Sequence, residues 1–142
     1  MRYTIIIILA LLFSSCNGIS TSKTSESTFI GVWKIEDREI LNNIEFEIFN
    51  NDKNELKGII RSINDNKYVQ LFMNEEDQFI TNIKRKSNTE FIITEKMIAA
   101  PLFSVYDQKT TKDFNVSFQN KDTIFIGKNG AEGKYIRVSI GL

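Results

Sequence analysis

Hydrophobic and polar residues alternate with a period of two in much of the chain that follows residue 28. Residues 44–48 read Ile-Glu-Phe-Glu-Ile, and residues 114–118 read Phe-Asn-Val-Ser-Phe. Successive side chains of a β-strand point to opposite faces, so this alternation predicts strands with one apolar and one polar face. We expect the apolar faces to line a core and the polar faces to contact water.

Short clusters of Asn, Asp and Gly separate the predicted strands. These residue types favour turns, and connections this short favour antiparallel neighbours, because a parallel crossover needs about a dozen residues. The pattern predicts an all-β fold of eight to ten strands. An antiparallel up-and-down β-barrel is the simplest arrangement, since closure removes exposed edge strands. Besides the two segments above, the candidate strands are 29–37, 56–63, 67–73, 78–86, 89–96, 102–107, 123–128 and 134–140.

Two segments depart from the alternating pattern. Residues 37–44 place three apolar residues on one helical face, but the segment is too short and too rich in Asn to form a stable helix alone. We expect it to form one turn that closes an end of the barrel. Residues 97–103 are mostly apolar, which fits either a lid at the open end of a barrel or a strand that enters a buried corner.

The first fifteen residues have the composition of a secretory signal. A short positive segment is followed by nine unbroken apolar residues, 5–13, and then by Ser14 and Ser15. Nine apolar residues are too few to cross a bilayer, which needs about 20. We therefore interpret residues 1–15 as a targeting segment outside the folded domain.

The end of this segment carries the only cysteine of the chain. Phe13-Ser14-Ser15-Cys16 resembles the lipobox of bacterial lipoproteins. The resemblance implies that Cys16 is diacylated and becomes the mature N-terminus, and two acyl chains suffice for stable anchoring. By resemblance to enterobacterial sorting, Asn17 in place of Asp favours the outer membrane, on its periplasmic or its surface face. The alternative is a soluble secreted protein with a free thiol.

Residues 17–28 read NGISTSKTSEST and link the anchor to the predicted strands. Such a polar segment buries too little apolar surface to offset its ordering entropy, so we expect a flexible spacer about 20 Å long. An O-glycosylated stalk is the alternative. The predicted organisation is a signal at 1–15, a lipidated Cys16 and tether at 16–28, and a barrel domain at 29–142.

The first predicted strand contains a Gly-x-Trp motif, with Gly31 and Trp33 on the same face. The motif resembles the signature of the first strand in lipocalins and related calycins. The resemblance implies that Trp33 closes one end of the barrel and that an arginine of the last strand packs over it. Arg137 is the only arginine in the last predicted strand. A guanidinium on an indole contributes about 0.5–2 kcal/mol, and here it would fasten the first strand to the last.

Composition excludes several kinds of chemistry. The chain has no histidine and one cysteine, so it contains no Ser-His or Cys-His nucleophile pair, no imidazole metal ligand and no internal disulfide. Lys plus Arg and Asp plus Glu number 18 each, so no global positive charge attracts nucleic acid. The acidic residues 75–77 lack the ligand spacing of a calcium loop. We expect neither an enzyme nor a metal or cofactor site.

Two classes of function remain. The first is a membrane-anchored, lipocalin-like lipoprotein that binds a small apolar ligand inside the barrel. The second is an envelope interaction or inhibitor protein whose barrel is filled by its own side chains. The expected partners are therefore the membrane, through lipid on Cys16, and either a small apolar molecule or an envelope protein. For the first class, the predicted ligand-binding residues are Phe46, Ile48, Leu71, Phe114, Val116 and Phe118.

Overall fold

Eight antiparallel strands form a closed barrel in the computed structural model, which describes residues 22–139. Each strand pairs with the next one along the chain, and the last strand pairs with the first. This confirms the prediction of an all-β, up-and-down barrel. The strands are β1 (Gly31–Glu36), β2 (Glu45–Asn50), β3 (Leu56–Ser62), β4 (Gln78–Arg85), β5 (Glu90–Lys96), β6 (Thr111–Asn120), β7 (Thr123–Ile126) and β8 (Lys134–Ser139).

Two of the ten candidate strands are wrong, because each of these segments forms a short helix. The segment 67–73 contains α1 (Lys67–Gln70), and the segment 102–107 overlaps α2 (Ala100–Val105). The Asn66 side chain caps α1 by accepting a hydrogen bond from the backbone of Val69, and a proline occupies the first turn of α2. Short apolar runs do not distinguish a strand from a buried helical turn, which explains the error.

The segment 37–44 forms turns, as expected, and lies where the chain passes from β1 to β2. Asp37 and Asn43 adopt left-handed backbone conformations, with φ of 59° and 65°. Asp and Asn tolerate this region better than most residues, so they allow the chain to reverse within a few residues. The turn then returns to the sheet through a backbone hydrogen bond from Ile35 to Ile44.

The inner face of the barrel is filled by the protein's own side chains. Phe46 packs edge-on against Phe79 and Tyr135, with ring centroids 5.1 and 4.9 Å apart. An eight-stranded barrel has an interior just wide enough for side chains to fill, and these aromatic rings fill it. The fully buried large side chains include Phe29, Trp33, Ile35, Ile44, Phe46, Ile48, Ile60, Phe79, Ile80, Phe91, Ile93 and Tyr135.

One end of the barrel is closed by contacts between β1, β8 and the chain before β1. The guanidinium carbon of Arg137 lies 4.1 Å from the ring centre of Trp33, which is fully buried. Arg137 also donates hydrogen bonds to the backbone carbonyls of Thr28 and Ile30. The indole nitrogen of Trp33 donates to the carbonyl of Phe29 at 2.7 Å. We call this the closed end.

Ordered structure begins before the first predicted strand. Residues Glu26–Phe29 form a turn of 3-10 helix, although this stretch lies mostly in the segment predicted as a flexible spacer. The backbone of Thr24 donates to Asn88 at 2.9 Å, and Arg85 donates to the Thr24 carbonyl and to Glu26. The chain therefore joins the barrel at the closed end. The predicted signal, the lipobox with Cys16 and the start of the spacer lie outside the described residues.

We expect Trp33→Ala to lower the free energy of unfolding by about 3–5 kcal/mol, because it removes a fully buried ring from the closed end. Trp33 is the only tryptophan, so urea unfolding should be followed by circular dichroism rather than by fluorescence. Tyr106→Ala removes an exposed ring and is the control. A loss below about 1 kcal/mol in Trp33→Ala would contradict the closing role of this side chain.

Candidate functional site

The end opposite Trp33 is built differently, and we call it the mouth. At the mouth β1, β3, β5 and β7 end, and the turn 37–44, α1 and α2 lie around it. The segment 97–103, for which the sequence allows a lid or a strand, follows β5 at this end and includes the first residues of α2. Most of the irregular structure of the domain therefore lies at the mouth.

A buried charged cluster lies at the inner edge of the mouth. Glu95 follows Phe91 and Ile93 on the inner face of β5 and is only 3% exposed. The Nη1 of Arg38 donates to Glu95 Oε1 at 2.6 Å, and the Tyr135 hydroxyl donates to the same oxygen. Two donors from the β1–β2 turn and from β8 thus compensate a carboxylate on β5.

The pKa values in this cluster follow from burial and from the carboxylate. Burial alone would lower the pKa of Arg38, but the charge and hydrogen bond of Glu95 outweigh it and raise that pKa. Burial, and secondly the charge of Glu95, raises the pKa of the Tyr135 hydroxyl well above its ordinary value. Tyr135 is therefore a neutral donor and Arg38 a cation at neutral pH.

The position of Arg38 depends on the glycine opposite its side chain. Gly133 has a φ of 111°, and a Cβ there would collide with the aliphatic part of Arg38. Only glycine combines this backbone conformation with room for the crossing side chain. Arg38 then reaches Glu95 and places its guanidinium carbon 4.9 Å from the ring centre of Phe114.

A pocket of about 240 Å³ opens at the mouth beside this cluster. Its walls are mainly apolar and come from the β1–β2 turn, α1, the end of β5, the segment before α2, α2 and β6. Arg38 and Glu95 contribute to its lining, together with Lys96 and Lys112. The apolar and aromatic residues of its wall are Ile40, Leu41, Tyr68, Met97, Ile98, Ala99, Phe103 and Phe114.

The structure places the predicted ligand-binding residues in four different environments. Phe114 lines the pocket, whereas Phe46, Ile48 and Val116 are buried in the packed core. Phe118 packs against Phe29 and Trp33 at the closed end. Leu71 does not line the interior of the barrel, because this side chain is 74% exposed. Leu71 follows α1 instead of lying in a strand, so the alternation argument does not apply to it.

Sequence reasoning missed most of the pocket residues. The inward position of Glu95 was present in the alternation of β5, where Phe91, Ile93 and Glu95 share one face. Arg38 lies in a turn, and no local pattern relates it to a carboxylate 57 residues later in the chain. Met97 and Ile98 belong to the apolar run 97–103, which interrupts the alternation of apolar and polar residues. That interruption was the feature of the sequence that could have indicated the pocket.

The rim of the mouth is unusually apolar. Within the described residues, seven large apolar side chains are exposed, and six of them lie on the β1–β2 turn or on and beside α1 and α2. The seventh, Val138, lies near the closed end. Clusters of exposed apolar side chains mark binding sites more often than scattered ones do. The six are Ile40, Tyr68, Leu71, Leu102, Val105 and Tyr106.

The fold and the site define a closed eight-stranded antiparallel barrel with a filled interior and a pocket at its mouth. Comparisons with protein-family models, with curated proteins and with solved structures find no match. Among residues 22–139, no helix is long and apolar enough to cross a membrane. In the same part of the chain, no group of three or more Cys, Asp or Glu residues is placed to hold a metal ion.

We expect Tyr135→Phe to destabilise the protein by about 1–3 kcal/mol near pH 8, because it removes a donor to a buried carboxylate. Because the pKa of Tyr135 is raised in the folded protein, its hydrogen bond contributes fully to the free energy of unfolding below about pH 10, where the unfolded chain also keeps the proton. Above that pH the contribution decreases. The difference between the original protein and the variant should therefore shrink by about 1.4 kcal/mol between pH 9 and pH 11.

Urea unfolding at these pH values measures that difference. Tyr106→Phe changes an exposed tyrosine on the rim and is the matched control. Its stability should follow that of the original protein at both pH values. A constant difference between Tyr135→Phe and the original protein from pH 9 to pH 11 would contradict the role of Tyr135 as a buried neutral donor.

Proposed function

We propose that the protein is an outer-membrane-anchored, lipocalin-like lipoprotein that binds a small apolar ligand in the mouth pocket. The observation that carries this proposal is the apolar pocket at the end of the barrel opposite Trp33. Ligand sites are concave, mostly apolar and provided with a few polar groups, and this pocket has that composition. The absence of histidine from the chain supports binding rather than acid–base or nucleophilic catalysis.

The size of the pocket limits the ligand. A pocket of about 240 Å³ is somewhat smaller than the usual range of about 300–1,000 Å³ for drug-sized ligands. Below it, the core is occupied by Phe46, Phe79 and Tyr135. The proposed ligand is therefore a small molecule, or one end of a longer molecule, and it is held at the mouth instead of deep in the barrel.

The proposed lipid anchor gives the mouth an orientation. Thr24 is hydrogen-bonded at the closed end, and Cys16 precedes it by eight residues. An extended chain of that length spans at most about 30 Å, so the closed end stays near the membrane surface. The mouth then faces away from the anchoring bilayer, and a ligand enters it from the aqueous side.

A second candidate is an envelope interaction or inhibitor protein, and the rim supports it. Six large apolar side chains surround a pocket that is small compared with the filled core. In this case the rim contacts an envelope protein and the pocket accepts one of its side chains. The two candidates differ in whether a free small molecule binds at the mouth.

The anchor is tested by labelling cells with a palmitate analogue. We expect the label on the original protein and a mature chain that begins at Cys16, as read by mass spectrometry. Cys16→Ser should remove the label, because serine lacks the thiol that is acylated, whereas Ser20→Ala in the same spacer should keep it. Label on Cys16→Ser, or a mature chain that begins elsewhere, would contradict the lipoprotein proposal.

The pocket is tested by titrating the domain with 1-octanol, a neutral amphiphile, and following the amide signals by NMR. Ala99 lines the pocket, and Ala99→Phe should fill it and weaken binding at least about tenfold. Val138→Phe adds a ring outside the mouth and should bind like the original protein. Native mass spectrometry of protein from cells should show a bound small molecule that Ala99→Phe lacks.

Two results would contradict the ligand-binding proposal. One is equal octanol binding by Ala99→Phe and the original protein, with both folded by circular dichroism. The other is the absence of octanol binding together with the absence of any co-purified molecule. The second result would favour the interaction protein.

A further inference from the structure

The mouth pocket has an unequal number of positive and negative side chains. Arg38, Lys96 and Lys112 contribute to its lining, and Glu95 is the one carboxylate there. Glu95 is nearly inaccessible and already accepts hydrogen bonds from Arg38 and Tyr135. Its charge is therefore compensated by Arg38 inside the fold, and the two lysines are the remaining cations of the lining, with Glu132 at 3.7 Å from Lys112.

Two of these cations lie against one aromatic ring of the wall. The Nζ of Lys112 is 4.5 Å from the ring centre of Phe114, and the guanidinium carbon of Arg38 is 4.9 Å from the same centre. The apolar wall and the two positive charges thus meet at Phe114. A ligand that contacts this ring is within reach of both cations.

Both cations retain donors for a ligand. To other described residues, Arg38 donates one hydrogen bond, from Nη1 to Glu95, and its Nε and Nη2 keep some contact with solvent, because neither atom is both buried and unpaired. Lys112 is more than half exposed, and its partner Glu132 lies at 3.7 Å, which is a long ion pair. Such exposed pairs contribute little and exchange readily for another anion.

We propose that the ligand of the mouth pocket is an anionic amphiphile, whose apolar group fills the pocket against Phe114 and whose acidic head lies between Lys112 and Arg38. The head is a carboxylate or a phosphate, since both accept hydrogen bonds from guanidinium and ammonium groups. This inference rests on the proposed ligand-binding function and adds the chemical class of the ligand. A neutral head lacks the ionic attraction, and a cationic head is repelled.

The test uses four probes with the same eight-carbon chain, each below its micelle concentration. They are octanoate, octyl phosphate, 1-octanol and octyltrimethylammonium, titrated into the folded domain and followed by NMR. At least one of the two anions should bind about tenfold more tightly than octanol, and the ammonium should bind most weakly. The difference between the preferred anion and octanol should decrease at high salt, because solvent-exposed charges are screened.

The choice between the two anions identifies the head group. Preference for octanoate assigns a carboxylate, and preference for octyl phosphate assigns a phosphate, such as that of a lipid head group. Acetate and inorganic phosphate carry the same charges without the chain. They should bind far more weakly than their eight-carbon counterparts, and equal binding would overturn the amphiphile proposal.

A matched pair of variants locates the head. Lys112→Gln should weaken binding of the preferred anion about two- to fivefold and weaken octanol binding less, as expected for one partly exposed charge. Lys53→Gln removes the same charge from the exposed turn between β2 and β3 at the closed end, and should change neither. An equal loss in the two variants would show an effect of net charge alone and would overturn the proposed head position.

The outcomes separate this inference from the proposed function. If octanol binds in the pocket as tightly as both anions do, the mouth is a ligand site and the anionic class is wrong. If none of the four probes binds, the ligand-binding function and the anionic class are both wrong. If the ammonium probe binds best, the pocket prefers a cationic head group and the inference fails.

Discussion

Closure of the sheet between β1 and β8 is the constraint on which the rest of the structure depends. These strands come from opposite ends of the domain sequence, and bringing them together costs chain entropy. Arg137 offsets this cost through several contacts at once, because it lies on the Trp33 ring and donates to the carbonyls of Thr28 and Ile30. The same side chain therefore joins the two strands and holds the chain segment that closes this end.

Closure also determines where the pocket is located. A closed sheet of eight strands encloses little space, and here Phe46, Phe79 and Tyr135 occupy it. Trp33 and Arg137 occupy the closed end, and the entering chain covers it. The connections at the mouth are longer and partly helical, so they leave the pocket between them.

The alternation of apolar and polar residues was sufficient to predict the barrel, because each strand has one buried and one accessible face. It failed at residues 67–73 and 102–107, where the Asn66 cap and a proline in the first turn start short helices, and several apolar side chains of these segments stay exposed at the rim. The closed-end contact was predictable because Trp33 and Arg137 each lie in a strand with a clear pattern. The contact between Arg38 and Glu95 was not predictable, since it depends on the path of an irregular turn and on the space at Gly133.

The buried Glu95 marks the boundary between the filled interior and the accessible mouth. A carboxylate on the inner face would destabilise the fold by several kcal/mol without partners, and Arg38 and Tyr135 supply them. Tyr135 also packs on Phe46, so the cluster rests directly on the aromatic core. An apolar chain that entered deeper would have to separate Glu95 from its donors, which is unfavourable. The cluster therefore limits the depth of the pocket and leaves the charge of Lys112 available at the surface.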